Sequence, residues 1–563
     1  MEVYAMRKIF AALVLSVVLI SCVPRDEKPF DVLITNAQIV DGSGNPWFYG
    51  DIGIRGEKIV RIGKLKGISS ERTIDASGKI VAPGFIDMLG QSSLTLLVDN
   101  RAMSKISQGI TTEINGEGTS AAPVNDRTLT DLESMRAKYN LEIDWTDFAG
   151  YFKRLETSKI AINVGSFVGA TQVRKYAMGS EDRDPTAAEL SSMTQQVRLA
   201  MKQGALGLST SLIYAPATFA KTKELIELAK VSSEEGGIYV THLRDEANRI
   251  QEAIHEALDI ARGASTPVEI WHLKVAGKPN WGKMPSVVGM INEHRAQGLD
   301  ITADVYPYAA SSTGLSSRIP AWAHDGGAAR LVDRLRNPET RRRIRNEMIG
   351  ASPGADNTMA ATGPEDILIA GVYNPELREY EGKRLSEIAR MWGKNPVDML
   401  IDLVVADSAR ISAVFFSMSE QDVRMAMAQP WTSFCTDGGQ RAIDGPLSDG
   451  KPHPRAYGSF PRILGKYVRD EKLLSMEEAI RKMTSLPANR LGLTHRGLLK
   501  EGFYADVVIF DPKTVNDKAT FEQPHQYSVG IEVVLVNGKS VWEEGKFTGN
   551  LPGKALRGPA YVN

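Results

Sequence analysis

Two stretches, Ile238-Tyr239-Val240-Thr241-His242 and Val268-Glu269-Ile270-Trp271-His272, decide how this chain is read. Each runs apolar and β-branched, ends in histidine, and follows a segment of helical periodicity. Polar residues come at once behind them: Leu243-Arg244-Asp245-Glu246 in one case, Leu273-Lys274 in the other. A buried strand that delivers a polar side chain at its C-terminal end is the device by which a parallel β/α barrel builds a site. Two imidazoles delivered this way from neighbouring strands point to a shared metal ion, zinc above all. The alternative is a pair of core histidines satisfied by hydrogen bonds.

Working outward, the middle of the chain alternates strands with helical stretches, which predicts a TIM-like (β/α)8 barrel. The candidate strands are Ile80–Phe85, Thr111–Asn115, Ala161–Gly165, Leu206–Ser209, Ile238–His242, Val268–His272, Ile301–Val305 and Trp431–Thr436, the eight that closure requires. Thr222–Glu235 and Ile250–Arg262 carry the helical period. The long gap before the last strand, at about 310–410, has charged helical segments around Asp333–Met348 and Leu385–Ala406, and reads as an insertion over the barrel mouth. Short alternating strands precede the barrel (Asp31–Ile34, Gln38–Val40, Asp51–Ile54, Lys58–Ile62) and return after it (Ala505–Phe510, Ile531–Gly538). Turn residues between them suggest antiparallel pairing. The expected organisation is a discontinuous β-sandwich from residues 30–82 and 495–563 around a barrel at 83–494.

With 563 residues and 42% hydrophobic content, the chain can bury a large core. A formal charge of -1 with mixed signs gives no basic surface for nucleic acid. Cys22 and Cys435 are the only cysteines, so there is no disulfide framework. At the N-terminus, Arg7 and Lys8 precede an apolar run from Ile9 to Ile20, too short for a stable span, and residues 1–22 read as a targeting segment. Leu19-Ile20-Ser21-Cys22 resembles a bacterial lipobox, which implies a lipid anchor at Cys22 in the cell envelope. Val23 after the cysteine favours the outer membrane, facing the periplasm, in a Gram-negative host. An ordinary cleaved signal is the alternative.

Asp437 ends the eighth candidate strand before Gly438-Gly439. A carboxylate there can touch both a metal and its water, and can pass the water's proton to a leaving amine; an Asx turn is the competing explanation. Glu117 follows the second strand in Gly116-Glu117-Gly118, where flanking glycines allow a tight turn that brings the acid inward as a third ligand. Glu113 is the alternative. Lys274, Tyr306 and Arg455 are candidates for holding substrate. Lys274 is two residues beyond His272 on the same face, and Arg455 sits in a proline-stiffened loop, Lys451-Pro452-His453-Pro454-Arg455, where it could clamp a carboxylate.

These residues together resemble the N-acyl-D-amino-acid deacylase (D-aminoacylase) family of the amidohydrolase superfamily. The resemblance runs through VAPGFID (81–87), THLRDE (241–246), WHLKVAGKPNWGK (271–283), TADVYPY (302–308), HPRAYGSFPR (453–462) and ADVVIFDP (505–512). It implies a metal-dependent hydrolase of N-acylated D-amino acids, with metal at His242 and His272, Asp437 as acid and base, and Arg455, Lys274 and Tyr306 around the substrate. Two departures stand out. Where the family has Asp-x-His-x-His, this chain has Asp87-Met88-Leu89-Gly90-Gln91, and where the family has a cysteine ligand it has Glu117. Leucine cannot coordinate zinc, so the expectation is one zinc per chain on Glu117, His242 and His272, with Gln91 hydrogen-bonding water or the acyl oxygen. Some related N-acetylglucosamine-6-phosphate deacetylases share such a single-metal set. The alternatives are an amidohydrolase for dipeptides, cyclic amides or cell-wall fragments, and a binding lipoprotein that has lost activity.

Overall fold

The computed structural model describes residues 29–65, 67–350, 359 and 362–562. The targeting segment and Cys22 lie outside the described residues. Among those described, no helix is long and apolar enough to cross a membrane.

The chain opens with β1 (Phe30–Ile39), β2 (Phe48–Arg55), β3 (Lys58–Gly63), β4 (Ser70–Asp75) and β5 (Ile80–Pro83). It continues through β6 (Phe85–Asp87), β7 (Ile110–Asn115), β8 (Asn163–Ser166), the short β9 (Val168–Gly169), β10 (Gly207–Ser211), β11 (Ile238–His242), β12 (Val268–Ile270) and β13 (Ile301–Val305). Then come β14 (Ser311–Gly314), β15 (Ile367–Gly371), β16 (Ser412–Phe415) and β17 (Thr432–Phe434). The last strands are β18 (Val507–Phe510), β19 (Ile531–Val536), β20 (Lys539–Glu543) and β21 (Lys546–Phe547).

Both chain ends enter one nine-stranded sheet in the order β21-β20-β19-β18-β5-β1-β2-β3, with β4 also on β1. Its apolar core takes Ile34, Ile39, Ile54 and Val81 from the first end and Val507 and Leu535 from the last. The two strands read at 31–34 and 38–40 are a single strand, β1, bent by an irregularity between Ile34 and Ala37 where Asn36 adopts φ 57°. The expectation of purely antiparallel pairing is corrected: β4 and β5 both run parallel to β1. Alternation within one strand records burial of a face and says nothing about the direction of its neighbour.

A second correction concerns Ile80–Phe85, read as one strand. It breaks at Gly84, where β5 stays in the end sheet and β6 starts the parallel array. Gly84 N donates to Asp506 O at 2.9 Å, and a Cβ at Gly84 would lie 2.2 Å from Thr111 Oγ1. Only glycine lets the chain cross between the layers so closely.

The parallel strands form β6-β7-β8 and β9-β10-β11-β12-β13-β17. Leu206 N donates to Ser166 O at 2.9 Å across one seam, and Asp437 N to Leu89 O at 2.9 Å across the other, where Gly90 and Gly438 also bridge in parallel. Phe85, Ile114, Val164, Leu208, Val240, Ile270, Ala303 and Phe434 are all fully buried, one from each long strand of this TIM-like domain. The outer helices follow the period seen in sequence: Ile250–Ala264 buries Ile250, Ala253, Ile254, Ala257, Leu258 and Ala261 on one stripe. Each large apolar side chain buried this way is worth roughly 1.5–3 kcal/mol.

Between β13 and β17 lies a unit with its own core, including Leu335, Ile369, Leu400 and Phe415. Helices Ala328–Arg336, Pro338–Ile349, Leu385–Met391 and Pro396–Ala406 pack with an antiparallel sheet in the order β14-β16-β15. The helices were legible in sequence and the sheet was not: β14 is the polar, half-buried Ser-Ser-Thr-Gly, and β15 and β16 are apolar runs of five and four residues with no distinguishing period. Following β13 so closely, β14 places Ser311, Ser312 and Thr313 on the wall of the central cavity.

Candidate metal centre and active site

His242 is the last residue of β11 and His272 lies two residues past β12. The chain turns at His272 with φ 37°, a left-handed conformation that a bulky residue holds only when its surroundings impose it. Those surroundings are Asp304 on β13, whose Oδ1 accepts from His272 N at 2.6 Å and whose O accepts from Leu273 N at 2.8 Å. The imidazoles meet edge to face with ring centres 4.4 Å apart.

Glu117 reaches them from the loop after β7. Gly116 and Gly118 adopt φ 101° and 60°; a Cβ on the first would lie 2.4 Å from Phe167 O, and on the second 2.5 Å from Ser211 Cβ. The two glycines therefore set the turn that points the acid inward. Glu117 Oε1 lies 2.8 Å from His242 Nδ1 and 3.1 Å from His272 Nε2. One ligand atom from each of the three falls within 4.8 Å of the others, and this is the one such group among the described residues. Glu113, the alternative acid, is fully buried elsewhere and accepts from Ser92 N at 3.0 Å.

Glu246, which the sequence reading passed over, backs both rings. Its Oε1 lies 3.2 Å from His272 Nδ1 and its Oε2 3.6 Å from His242 Nε2. Outer carboxylates of this kind fix the orientation of metal-binding imidazoles. Four residues beyond a histidine in a loop, Glu246 carries no spacing signal; only the returning chain brings it back. Lys274 is drawn into the same cluster, 2.5 Å from Glu246 Oε1 and 2.6 Å from His272 Nδ1. It lines the cavity with its ammonium on these two protein groups.

The electrostatics suit a cation. Burial opposes a charged His272, as does Lys274, yet Asp437, Glu246 and Glu117 raise its pKa to about 10. Burial likewise opposes ionisation of Glu117, but hydrogen bonds from the two imidazoles hold its carboxyl well below the usual range. A field that draws a proton onto a buried imidazole is equally a field for a divalent ion, and one oxygen with two nitrogens is a familiar donor set for catalytic zinc.

Asp437 stands across the cavity in a left-handed conformation, φ 44°. Its Oδ2 lies 2.7 Å from Arg455 Nη1. Gln91 Nε2 donates to Glu117 Oε2 and, at 3.5 Å, to Asp437 Oδ1. Leu89 is fully buried and offers the site only its carbonyl, which takes Asp437 N. Arg455 is the first residue of the helix Arg455–Arg462, a correction to the loop expected from the prolines. Pro454 sits at the N-cap, where its missing N–H costs nothing. Arg455 Nη2 donates to Ser312 O at 3.2 Å, and the guanidinium lies 4.7 Å over the Tyr306 ring. Tyr306 is buried, with its hydroxyl 3.4 Å from Met418 Sδ. His453, quoted above only as part of a motif, supports this arginine: its Nδ1 accepts Arg455 N and its Nε2 meets Ala310 O, both at 3.0 Å. Gln91, Glu117, His242, Glu246, His272, Lys274, Tyr306, Ser312, Asp437 and Arg455 all line one cavity of about 330 Å³.

Such a rim, with a metal-ready triad at the strand ends and a carboxylate facing it, defines a metal-dependent amidohydrolase. A profile of the amidohydrolase family matches residues 377–542. The D-aminoacylase of Alcaligenes xylosoxydans xylosoxydans is 36% identical over 539 residues, covering 94% of this chain and 98% of that protein. The N-acyl-D-glutamate deacylase of the same organism is 35% identical, covering 95% of this chain and 98% of its own. Among solved structures, an N-acyl-D-glutamate deacylase from Bordetella bronchiseptica, complexed with zinc and a phosphonate inhibitor, superposes with TM-score 0.79 at 34% identity, covering 94% of this chain and all of that one. A D-aminoacylase with a binuclear metal centre gives the same TM-score, identity and coverage. The chain belongs to the D-aminoacylase family of the amidohydrolases.

Proposed function

We propose that the chain hydrolyses the amide of N-acylated D-amino acids with one divalent cation, zinc by preference, held by Glu117, His242 and His272. The observation that carries this reading is the convergence of Glu117 Oε1 on His242 Nδ1 and His272 Nε2 in a cavity that also contains Asp437 and Arg455. A bound divalent ion supplies Lewis acidity there: it polarises a carbonyl and makes water a stronger acid. The remaining work belongs to the chain's own groups. Asp437 takes a proton from the attacking water and hands it to the departing amine. Arg455, already paired with Asp437, holds the substrate carboxylate with its second face on Tyr306. Glu246 and Lys274 keep His272 oriented.

Two features support the finer reading. Leu89 and Gln91 leave no imidazole for a second ion, and the D-aminoacylase structure is described in terms of one-metal activation and second-metal attenuation. Arg318 lines the same cavity, its pKa lowered to about 10 by burial, and its guanidinium lies 4.0 Å over Phe415. A second guanidinium beside the substrate favours an acidic side chain. In this reading residues 83–494 form a closed (β/α)8 barrel with its insertion near 310–410, and 30–82 with 495–563 a β-sandwich.

Purified protein should carry about one zinc per chain by inductively coupled plasma mass spectrometry. It should hydrolyse N-acetyl-D-glutamate faster than the L-isomer and faster than N-acetyl-D-leucine. Asp437→Asn should retain the zinc and lose roughly 10²–10⁴-fold in kcat. Two equivalents of zinc, or wild-type turnover by Asp437→Asn, would remove the proposal.

A further inference from the structure

A second cavity of about 240 Å³ opens off the first and shares Gln91, Ser312, Asp437 and Arg455 with it. Its far wall is made differently. Lys138 and Tyr139 close the helix Asp126–Tyr139, Tyr373 follows β15, and Arg441 and Asp449 come from the loop after β17. Lys138 pairs with Asp449 and lies 4.9 Å over the Tyr373 ring, while Arg441 Nη1 is 3.5 Å from the same aspartate.

This wall is held by hydrogen bonds from backbone N–H groups, two of them to a buried carboxylate. Tyr373 N and Asn374 N donate to Asp407 Oδ1 at 2.9 and 2.6 Å, and Lys451 N donates to Ala370 O at 2.6 Å. Gly450 sits at that seam with φ 73°, where a Cβ would come 2.9 Å from Ala370 O. The space is thus shaped before any ligand arrives, which is the usual condition of a binding cavity.

An N-acyl amino acid extends both ways from its scissile carbon. Under the deacylase reading, on which this inference rests, the amino-acid half lies with Arg455 and Arg318 in the first cavity. The acyl half must then leave past Gln91 and Asp437, and the second cavity is the room beyond that neck. We infer that the second cavity is the acyl subsite and is built for a polar, amide-bearing acyl group, such as an N-acylaminoacyl unit. A fatty chain laid there would strip water from Lys138, Arg441 and Asp449 and return no hydrogen bonds, a cost that rules against it. An amide offers a donor and an acceptor to those groups, beside the Tyr373 ring over which Lys138 and Arg410 each lie at 4.9 Å. The reaction is unchanged: water's hydroxyl joins the acyl carbon, the C–N bond breaks, and the amine leaves with a proton.

The test compares kcat/KM for N-acetyl-, N-octanoyl- and N-(acetylglycyl)-D-glutamate on the zinc-loaded enzyme. Acetylglycyl should exceed octanoyl by at least about tenfold. In Tyr373→Ala, and separately in the surface variant Lys138→Ala, the ratio of acetylglycyl to acetyl efficiency should fall by about tenfold. Octanoyl equal to or better than acetylglycyl, or a ratio that neither variant moves, overturns the acyl subsite while leaving the deacylase intact. Absence of turnover with all three substrates overturns both.

Discussion

The rim at the C-terminal ends of the parallel strands is built in two ways. At the ends of β11 and β12 the chain presents imidazoles to the cavity, with the one Glu246 carboxylate behind both, Lys274 beside it, and Glu117 between the rings. At the end of β6 it turns inward. Leu89 is buried, and the absent Cβ of Gly90 makes room for Glu113, whose Oε1 would otherwise lie 2.0 Å away. Beneath them the fully buried Lys105 carries an ammonium bonded to Asp87 Oδ2 and Thr436 Oγ1 at 2.8 Å and to Gly438 O at 2.6 Å. Burial raises the Glu113 pKa to about 7 against the pull of this ammonium. Both sides hold a buried ammonium, but on the first Lys274 stands behind His272 and leaves the Glu117–His242–His272 group facing the cavity, whereas on the second Lys105 itself fills the space. The difference teaches that losing a pair of metal donors need not loosen a site: Lys105 still ties β6 to the turn that presents Asp437.

The sharpest way to break this comparison is to empty the first side. His272→Ala should lose the zinc and on the order of 10³-fold or more in kcat/KM, since several kcal/mol of Lewis-acid stabilisation go with the ion; zinc retained with activity within tenfold would show that the triad is not the metal centre. A smaller effect, on stability, is expected on the second side. Lys105→Met leaves Asp87 buried without its partner and should cost about 3–5 kcal/mol by chemical denaturation, with Lys105→Met/Asp87→Asn recovering part of it. A loss below about 1 kcal/mol would make the ammonium incidental. The mildest change sharpens the contrast by making the halves alike. Leu89→His/Gln91→His should raise zinc from about one to about two per chain while altering kcat by less than about tenfold. Zinc that stays at one would show that Glu113 and Lys105 close this side whatever the side chains at 89 and 91.

His242 and His272 could be read from the chain because a buried strand has a period and the residue that ends it stands out. Glu117 could be read because its two glycines mark a forced turn. Arg455 was found as a residue but misplaced in a loop, since prolines before a helix and prolines in a loop look the same until the next turns pack. Glu246, Lys105 and His453 left no local trace. Each acts on a group that is distant in sequence, or near in sequence across a loop whose path the residues do not state. Of the inserted unit's three strands, β14 has neither alternation nor apolar content, while β15 (Ile-Leu-Ile-Ala-Gly) and β16 (Ser-Ala-Val-Phe) are short apolar runs that a buried helical segment would show equally.

The amino-acid sequence by itself determined the parallel strands of the TIM-like domain, the residues at their ends and the absence of the first-strand imidazoles, all of them consequences of short-range pattern. Tertiary structure alone decided which acid faces the histidines, which way the end sheet's strands run, and that a buried ammonium frames the opposite rim. Those outcomes depend on which distant segments meet, and burial makes such meetings strong only after the chain has closed around them.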